Sequence, residues 1–286
     1  MFRTRLLSGI VLVAVAVGAI IAGGWVLTGI LCLISLIAYL ELTKATGVHT
    51  EGTKLNGLEI TGVILILLYY AGLYAGMLQM QDYDRSVVFI VLAVCVILSL
   101  LIFMFVYVFS FPKFKAGEVM KAYFALIYAP VMLSFLYIIR AGWSRGLYLS
   151  GLIFLCSWGS DTCAYCVGIL FGKHKMTPKL SPKKSIEGAI GGIIGAALLF
   201  GLYTYYVINP FSPEQIKMNL GSAMCLGAVG AVISMTGDLA ASAIKRDYDI
   251  KDYGKVIPGH GGIMDRFDSV IIAAPLIFIG LSLIAP

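Results

Sequence analysis

Charged side chains are scarce in this chain. They make up 13% of its 286 residues, against 60% hydrophobic residues. Soluble domains carry about 25% charged and roughly 45–50% apolar residues, so this balance excludes a soluble globular class. The length is therefore no argument for two soluble domains. Internal repeats and low-complexity tracts are also missing, which leaves a paired-repeat transporter without its usual sequence sign. A disulfide framework is missing too. The six cysteines (Cys32, Cys95, Cys156, Cys163, Cys166 and Cys225) all lie inside apolar runs, unlike the spaced cysteines of a secreted scaffold. The net charge of +6 would suit nucleic acid, but the placement of the basic residues gives it another cause.

What the chain does contain is long apolar runs. A spanning helix needs about 20 mostly apolar residues. Such runs fall at 6–22, 25–42, 57–79, 87–111, 120–139, 146–171, 186–208, 220–244 and 267–285. They predict an all-α polytopic membrane protein with about nine transmembrane helices. The opening run, after Arg3 and Arg5, mimics a signal peptide, but the many later runs make it a retained first helix that sets topology. Only Gly23 and Gly24 separate it from the second, which predicts a tight helical hairpin.

Orientation follows from lysine and arginine, which favour the cytoplasmic side. With the N-terminus cytoplasmic and the C-terminus outside, 17 of the 21 basic residues face inward, and only Arg85, Arg140, Arg145 and Lys217 do not. The basic excess is thus mostly topological, and nucleic acid drops out as a partner. His49, His174 and His260 also fall inside, whereas the outer segments QMQDYDRS, RAGWSR and NPFSPEQIKMN are short and plain. Chemistry is expected to face the cytoplasm. Residues 1–145, with no ionisable group deep in a span, are expected to be structural helices with lipid or dimer contacts. Residues 146–286 are expected to form the catalytic region.

The second half concentrates polar groups inside or beside spans. Asp161 lies near the middle of the sixth run, and Asp238 about two turns from the inner end of the eighth. A charge at bilayer depth costs at least ~2.5 kcal/mol, so such residues usually face a protein interior or a wet cavity. Between them, GKHKMTPKLSPKKSIEG places five lysines in residues 173–184, followed by Ser185 and Glu187. Positive-inside bias explains some of these lysines. It does not explain Ser181, Pro182 and a helix start near Ser185, where free backbone N–H groups and a positive dipole end would favour phosphate beside Lys183 and Lys184. The run GAIGGIIGA (188–196) looks like a nucleotide loop, but it lies within an apolar segment. Gly188, Gly192 and Ala196 share one helix face, which predicts close helix packing instead. The Cys163–Cys166 pair reads as small packing residues, since no histidine is near in sequence. The last inner loop carries five basic and five acidic residues from Lys245 to Asp268. Positive-inside bias alone would need no acids. Carboxylates hold divalent metal and bases hold phosphate, which makes Asp238, Asp265 and Asp268 candidate Mg2+ ligands. Gly259, Gly261 and Gly262 would let backbone approach a ligand.

Residues 242–268, SAIKRDYDIKDYGKVIPGHGGIMDRFD, resemble the signature of the phosphatidate cytidylyltransferases, or CDP-diacylglycerol synthases. The shared elements are Ser242, Lys245, Arg246, Lys251, Asp252, Pro258, His260, Gly261, Gly262, Asp265, Arg266 and Asp268. GDLAAS, SPKKSIEG and SDTCAYCVG also resemble this family's motifs, in its order. Ser185 departs slightly, where threonine is more usual, and so does Cys163, where a small residue is. The resemblance implies transfer of the cytidylyl group from CTP to phosphatidate, with Mg2+ as cofactor, in a multi-pass, homodimeric protein of the cell membrane. Carried over by motif, Asp238 and Asp265 are expected as metal ligands. Asp161, Lys245, Arg246, His260, Arg266 and Asp268 are expected in the catalytic site. Ser181, Lys183, Lys184, Ser185, Glu187, Lys251, Lys255, Gly261 and Gly262 are expected to bind substrate. A lipid acceptor would explain why an acidic motif stands at the mouth of the last span: one reactant stays in the bilayer while CTP arrives from the cytoplasm. Two alternatives are an ion-coupled transporter, which would also use intramembrane Asp161 and Asp238, and the same chemistry on a polyprenyl or ether-lipid phosphate.

Overall fold

A computed structural model of the chain describes residues 2–49, 54–79, 85–211, 217–257 and 261–284. The chain is almost wholly helical. Among the described residues, eight helical stretches are long and apolar enough to cross a membrane, and Ser8–Ala22 forms a shorter apolar stretch before them. The sequence reading of an all-α membrane protein holds, its nine apolar runs matching eight helices of spanning length and one shorter apolar helix.

The chain divides into two compact units, Met1–Tyr137 with Tyr248–Arg266, and Ile138–Asp247 with Phe267–Pro286. The signature loop before the last helix therefore groups with the first unit, not with the second half of the sequence.

The first unit begins with helices α1 (Phe2–Ala22) and α2 (Gly24–Ala45). They join through Gly23 and Gly24 at φ 61° and 45°, a conformation that glycine adopts without Cβ strain. Helices α3 (Gly57–Gln79), α4 (Arg85–Phe109) and α5 (Ala116–Leu126) follow. Next come a π turn at Ile127–Val131 and the start of α6 (Met132–Gly142). Pro130 lies in that turn and lacks an N–H, which favours a widened helix there. The Tyr70 hydroxyl donates to the Pro130 carbonyl (3.1 Å). Its proton being so engaged, Ser35 Oγ is the donor in the 2.8 Å contact with the same hydroxyl. Tyr39, Tyr70 and Phe103 are fully buried and anchor this core. Along α4, Ile90, Ile97 and Phe105 are exposed, as a lipid-facing helix requires.

A polar knot starts α3. Asn56 Oδ1 accepts from Glu59 N–H, and Glu59 Oε2 accepts from Asn56 N–H, both at 2.9 Å. This is the reciprocal pattern of a capping box. His49 Nδ1 lies 2.9 Å from the same carboxylate, and Glu59 is 1% exposed.

The second unit holds the short helices α7 (Gly146–Leu149) and α8 (Gly151–Phe154), a π turn at Leu155–Gly159 and α9 (Ser160–Phe171). An antiparallel hairpin of β1 (Lys175–Thr177) and β2 (Ser181–Ser185) follows, with Lys175 opposite Ser185 and Thr177 opposite Ser181. The lysine-rich loop is thus a small hairpin, which helical periodicity could not show. Helices α10 (Ile186–Tyr203), α11 (Leu220–Asp247) and α12 (Met264–Ile284) complete the order, α12 starting in the first unit. The expected packing role of the glycine run holds. A Cβ on Gly188 would sit 2.8 Å from the Ala164 carbonyl, and one on Gly192 would sit 3.0 Å from Ala164 Cβ, so α9 and α10 meet nearly backbone to backbone. Cys163 packs in the same seam, against Gly195.

Candidate active site

Five ionisable side chains gather in the second unit, each delivered by a different piece of local structure. Asp161 stands in the first turn of α9, directly after the π turn, and is half-buried. Lys184 comes from β2 and forms an ion pair with Asp238 of α11, the two side chains being 24% and 28% exposed. Lys245 lies in the last turn of α11, where a cation also meets the negative end of the helix dipole. Asp268, one turn into α12, is buried and accepts a hydrogen bond from Ser269 N–H (2.7 Å). Asp161 lies within electrostatic range of Lys184 and Asp238, and Asp268 within range of Asp238, Lys245 and Asp161. A close approach of α11 to α12 makes this possible. A Cβ on Gly237 would stand 3.0 Å from the Asp268 carbonyl oxygen and from Ile272.

The hairpin flanks this cluster. Ser185 is the N-cap of α10, its Oγ accepting from Gly188 N–H at 3.1 Å, which is the helix start expected there. Ser181 is half-buried on β2 and Lys183 is exposed. Glu187 reaches back to the hairpin base. It accepts from the backbone N–H groups of Lys173 (3.1 Å) and His174 (3.2 Å) and lies 2.6 Å from His174 Nδ1. Its contacts therefore position the hairpin on the helix. Arg246, at the end of α11, is exposed.

In the first unit the signature loop is built differently. Asp265 Oδ2 accepts from Tyr253 N–H (2.8 Å) and Gly262 N–H (3.0 Å). Gly261 sits at φ +87°, where a side chain would be strained, and pairs with Ile257 in an isolated bridge. Lys251 and Lys255 are exposed, Gly262 is buried and Arg266 is half-buried. His260 lies outside the described residues. Sequence reasoning missed one participant. Glu41 of α2 is 7% exposed and accepts from the backbone of Ile263 and Met264 at the start of α12. Only its place near the end of an apolar run hinted at a role, because no spacing rule links it to a motif 222 residues away. Among the described residues, no three His, Cys, Asp or Glu side chains come together as a metal cage.

The profile of the cytidylyltransferase family matches residues 3–284. The chain belongs to this family. Relatives named phosphatidate cytidylyltransferase include one from Staphylococcus aureus, 31% identical over 279 residues, or 96% of this chain and 97% of that protein. A second, from Staphylococcus epidermidis, is 31% identical over 277 residues, and a third, from Staphylococcus saprophyticus, is 30% identical over 277. Each alignment again covers 96% of this chain and 97% of the relative.

The chain is therefore a nucleotidyltransferase, and the transporter alternative finds no support in its membership. The five-residue cluster suits a cytidylyltransferase. Joining a nucleoside triphosphate to a second anion brings negative charges together, and lysines beside the reacting groups offset that repulsion. Oxygen-only donors such as Asp161, Asp238 and Asp268 also suit a hard cation such as Mg2+, which takes one or two carboxylates while substrate phosphates complete its shell.

Proposed function

We propose that this cytidylyltransferase acts on phosphatidate, forming CDP-diacylglycerol and pyrophosphate from phosphatidate and CTP in phospholipid biosynthesis. The observation that carries the reading is the cluster of Asp161, Lys184, Asp238, Lys245 and Asp268, set within and beside apolar helices. Support also comes from relatives, named for this acceptor, that align along nearly their whole length.

In the reaction, an oxygen of the phosphate monoester attacks the α-phosphorus of CTP. The new P–O bond forms as the bond to the β-phosphate bridging oxygen breaks, and pyrophosphate leaves with that oxygen. Lys184, released from Asp238 when triphosphate binds, would supply a point charge to the phosphates. Lys245 would hold a second charge near the acceptor, and much of the remaining rate would come from positioning. Mg2+ is proposed as the cofactor, with Asp238 and Asp265 each as a ligand; when bound it supplies Lewis acidity and positive charge to the triphosphate. We further propose that the site faces the cytoplasm at the cell membrane, as the distribution of basic residues supports, and that the enzyme works as a homodimer among membrane lipids.

The test gives purified protein radiolabelled CTP and Mg2+ with either phosphatidate or a polyprenyl phosphate. Label in phosphatidate is expected. Label confined to the polyprenyl phosphate would overturn the acceptor, and label in neither would overturn the reading.

A further inference from the structure

Glu41 stands in the last turn but one of α2, a helix whose only other charged residue is Lys44. Burying a carboxylate is costly unless its oxygens are hydrogen-bonded. Here both are. Oε1 accepts from Ile263 N–H at 3.1 Å, and Oε2 accepts from Met264 N–H at 2.8 Å. Met264 opens α12, so these donors belong to the set that a helix start leaves without intrahelical partners. A carboxylate there is also favoured by the helix dipole.

The fit is mutual. A Cβ on Gly254 would collide with Glu41 Oε1, and one on Gly262 would fall 2.5 Å from both carboxylate oxygens. Neither glycine has a positive φ, so what demands glycine at both places is the presence of Glu41. The turn that Glu41 grips is the one that aims Asp265, whose Oδ2 accepts from Gly262 N–H and Tyr253 N–H. An ordinary N-cap is a short polar side chain just before its own helix. Glu41 instead comes from another helix, more than two hundred residues earlier, and closes on the signature segment itself.

We infer that Glu41 is a positioning residue for cytidylyl transfer. It clasps the turn at residues 261–265 and so fixes the carboxylate of Asp265 and the start of α12. The inference rests on the proposed reaction for its catalytic consequence, whereas the clasp is a property of the protein alone.

The test uses the full-length protein in detergent micelles and combines substrate-free amide exchange with steady-state kinetics. Glu41→Ala should speed exchange of the Ile263 and Met264 amides by roughly tenfold or more, with exchange in residues 138–247 unchanged. Turnover should fall by roughly 30-fold, with a much smaller change in the phosphatidate KM, since positioning acts on the chemical step. Glu41→Gln keeps the shape and one acceptor oxygen, so it should fall between wild type and Glu41→Ala in both readouts. Gly254→Ala supplies an independent variant. Alone it should mimic loss of Glu41, but in the Glu41→Ala background it should add nothing, because the collision has gone. Wild-type turnover in Glu41→Ala would overturn the inference. So would a turnover loss with unchanged exchange at Ile263 and Met264, equally fast exchange throughout residues 138–247, or additive effects of Gly254→Ala and Glu41→Ala. If wild-type protein labels no phosphatidate, the acceptor reading fails; the clasp is then judged by exchange and by the non-additivity of the two substitutions in exchange.

Discussion

Asp238 and Asp265 are both carboxylates proposed as metal ligands, yet their surroundings differ in kind. Asp238 of the second unit faces an ammonium group, Lys184, and shares its electrostatic neighbourhood with Asp161 and Asp268. Asp265 of the first unit has an oxygen held by two backbone N–H groups, and the neighbouring Glu41 likewise grips backbone. A carboxylate opposite a lysine ammonium can exchange that partner for a ligand. One bonded to backbone has a fixed direction and fixes the loop in return. The comparison separates groups that handle charge from groups that hold shape, and substitutions that keep shape while removing charge can break it.

The largest effect is expected at Asp238. Asp238→Asn keeps size and some hydrogen bonding but removes the charge at a position that is only partly buried. Turnover should drop by roughly a thousandfold, the scale of losing a main electrostatic element at a reacting phosphate. Thermal unfolding in detergent should shift little. Near-normal turnover with an unchanged Mg2+ requirement would return Asp238 to a packing role.

Asp265 should separate its two tasks. In Asp265→Asn the amide oxygen can still accept from Tyr253 and Gly262, so protection of those two amides from exchange should persist. Turnover should nevertheless fall by roughly a hundredfold if charge at this position serves the metal. Asp265→Ala should lose both protection and turnover. Full activity in Asp265→Asn, with exchange protection intact, would make the residue a holder of shape like Glu41.

A smaller effect should distinguish the two adjacent lysines. Lys184 reaches Asp238, whereas Lys183 is exposed. Lys184→Gln should raise the CTP concentration for half-maximal rate by roughly tenfold with little change for phosphatidate, the signature of lost nucleotide binding. Lys183→Gln should change either value by less than about twofold, as an exposed charge in high dielectric does. Equal effects of the two would move the phosphate contact from the cluster to the hairpin as a whole.

How legible all this was in sequence depended on which physical signal each part carries. The helices were legible because spans must be apolar for about 20 residues, and the charged ends marked their limits. Asp161 and Asp238 stood out because an acid is conspicuous inside an apolar run. The α9–α10 seam was legible through small residues four apart. The hairpin at 175–185 was not, since two short strands rich in lysine and proline leave no alternating pattern to read. Glu41 was hidden for a different reason. Its partners are backbone N–H groups, which every residue carries, so nothing in the sequence at 263–264 announces a need for a carboxylate. Glu59 differs, since its burial depends on the side chains of His49 and Thr43 as well as the Asn56 backbone closing around it.

A small effect on turnover should also come from Ser185, which caps a helix. Its Oγ caps α10 through Gly188 N–H, and it is 8% exposed among Gly168, Gly172 and Gly188. A Cβ on Gly172 would stand 2.8 Å from that Oγ, so the seam is built around an oxygen of this size. Ser185→Ala removes the acceptor and leaves Gly188 N–H buried without its partner. Loss of such a cap costs about 1 kcal/mol. In a chain this long that is a shift of only a few degrees in unfolding temperature, by roughly 2–4 °C on the scale of domains of 150–250 residues. Turnover should change by less than about threefold, because Lys184 is held by its ion pair with Asp238 and by β2, not by the cap. Ser185→Thr keeps the oxygen but adds a methyl group beside the glycines, so it should restore the cap only if α9 and α10 part slightly. Unfolding temperature and CTP dependence, measured side by side for both variants, decide the matter. A large rise in the CTP requirement of Ser185→Ala with an unchanged unfolding temperature would move the hydroxyl from helix capping to phosphate binding.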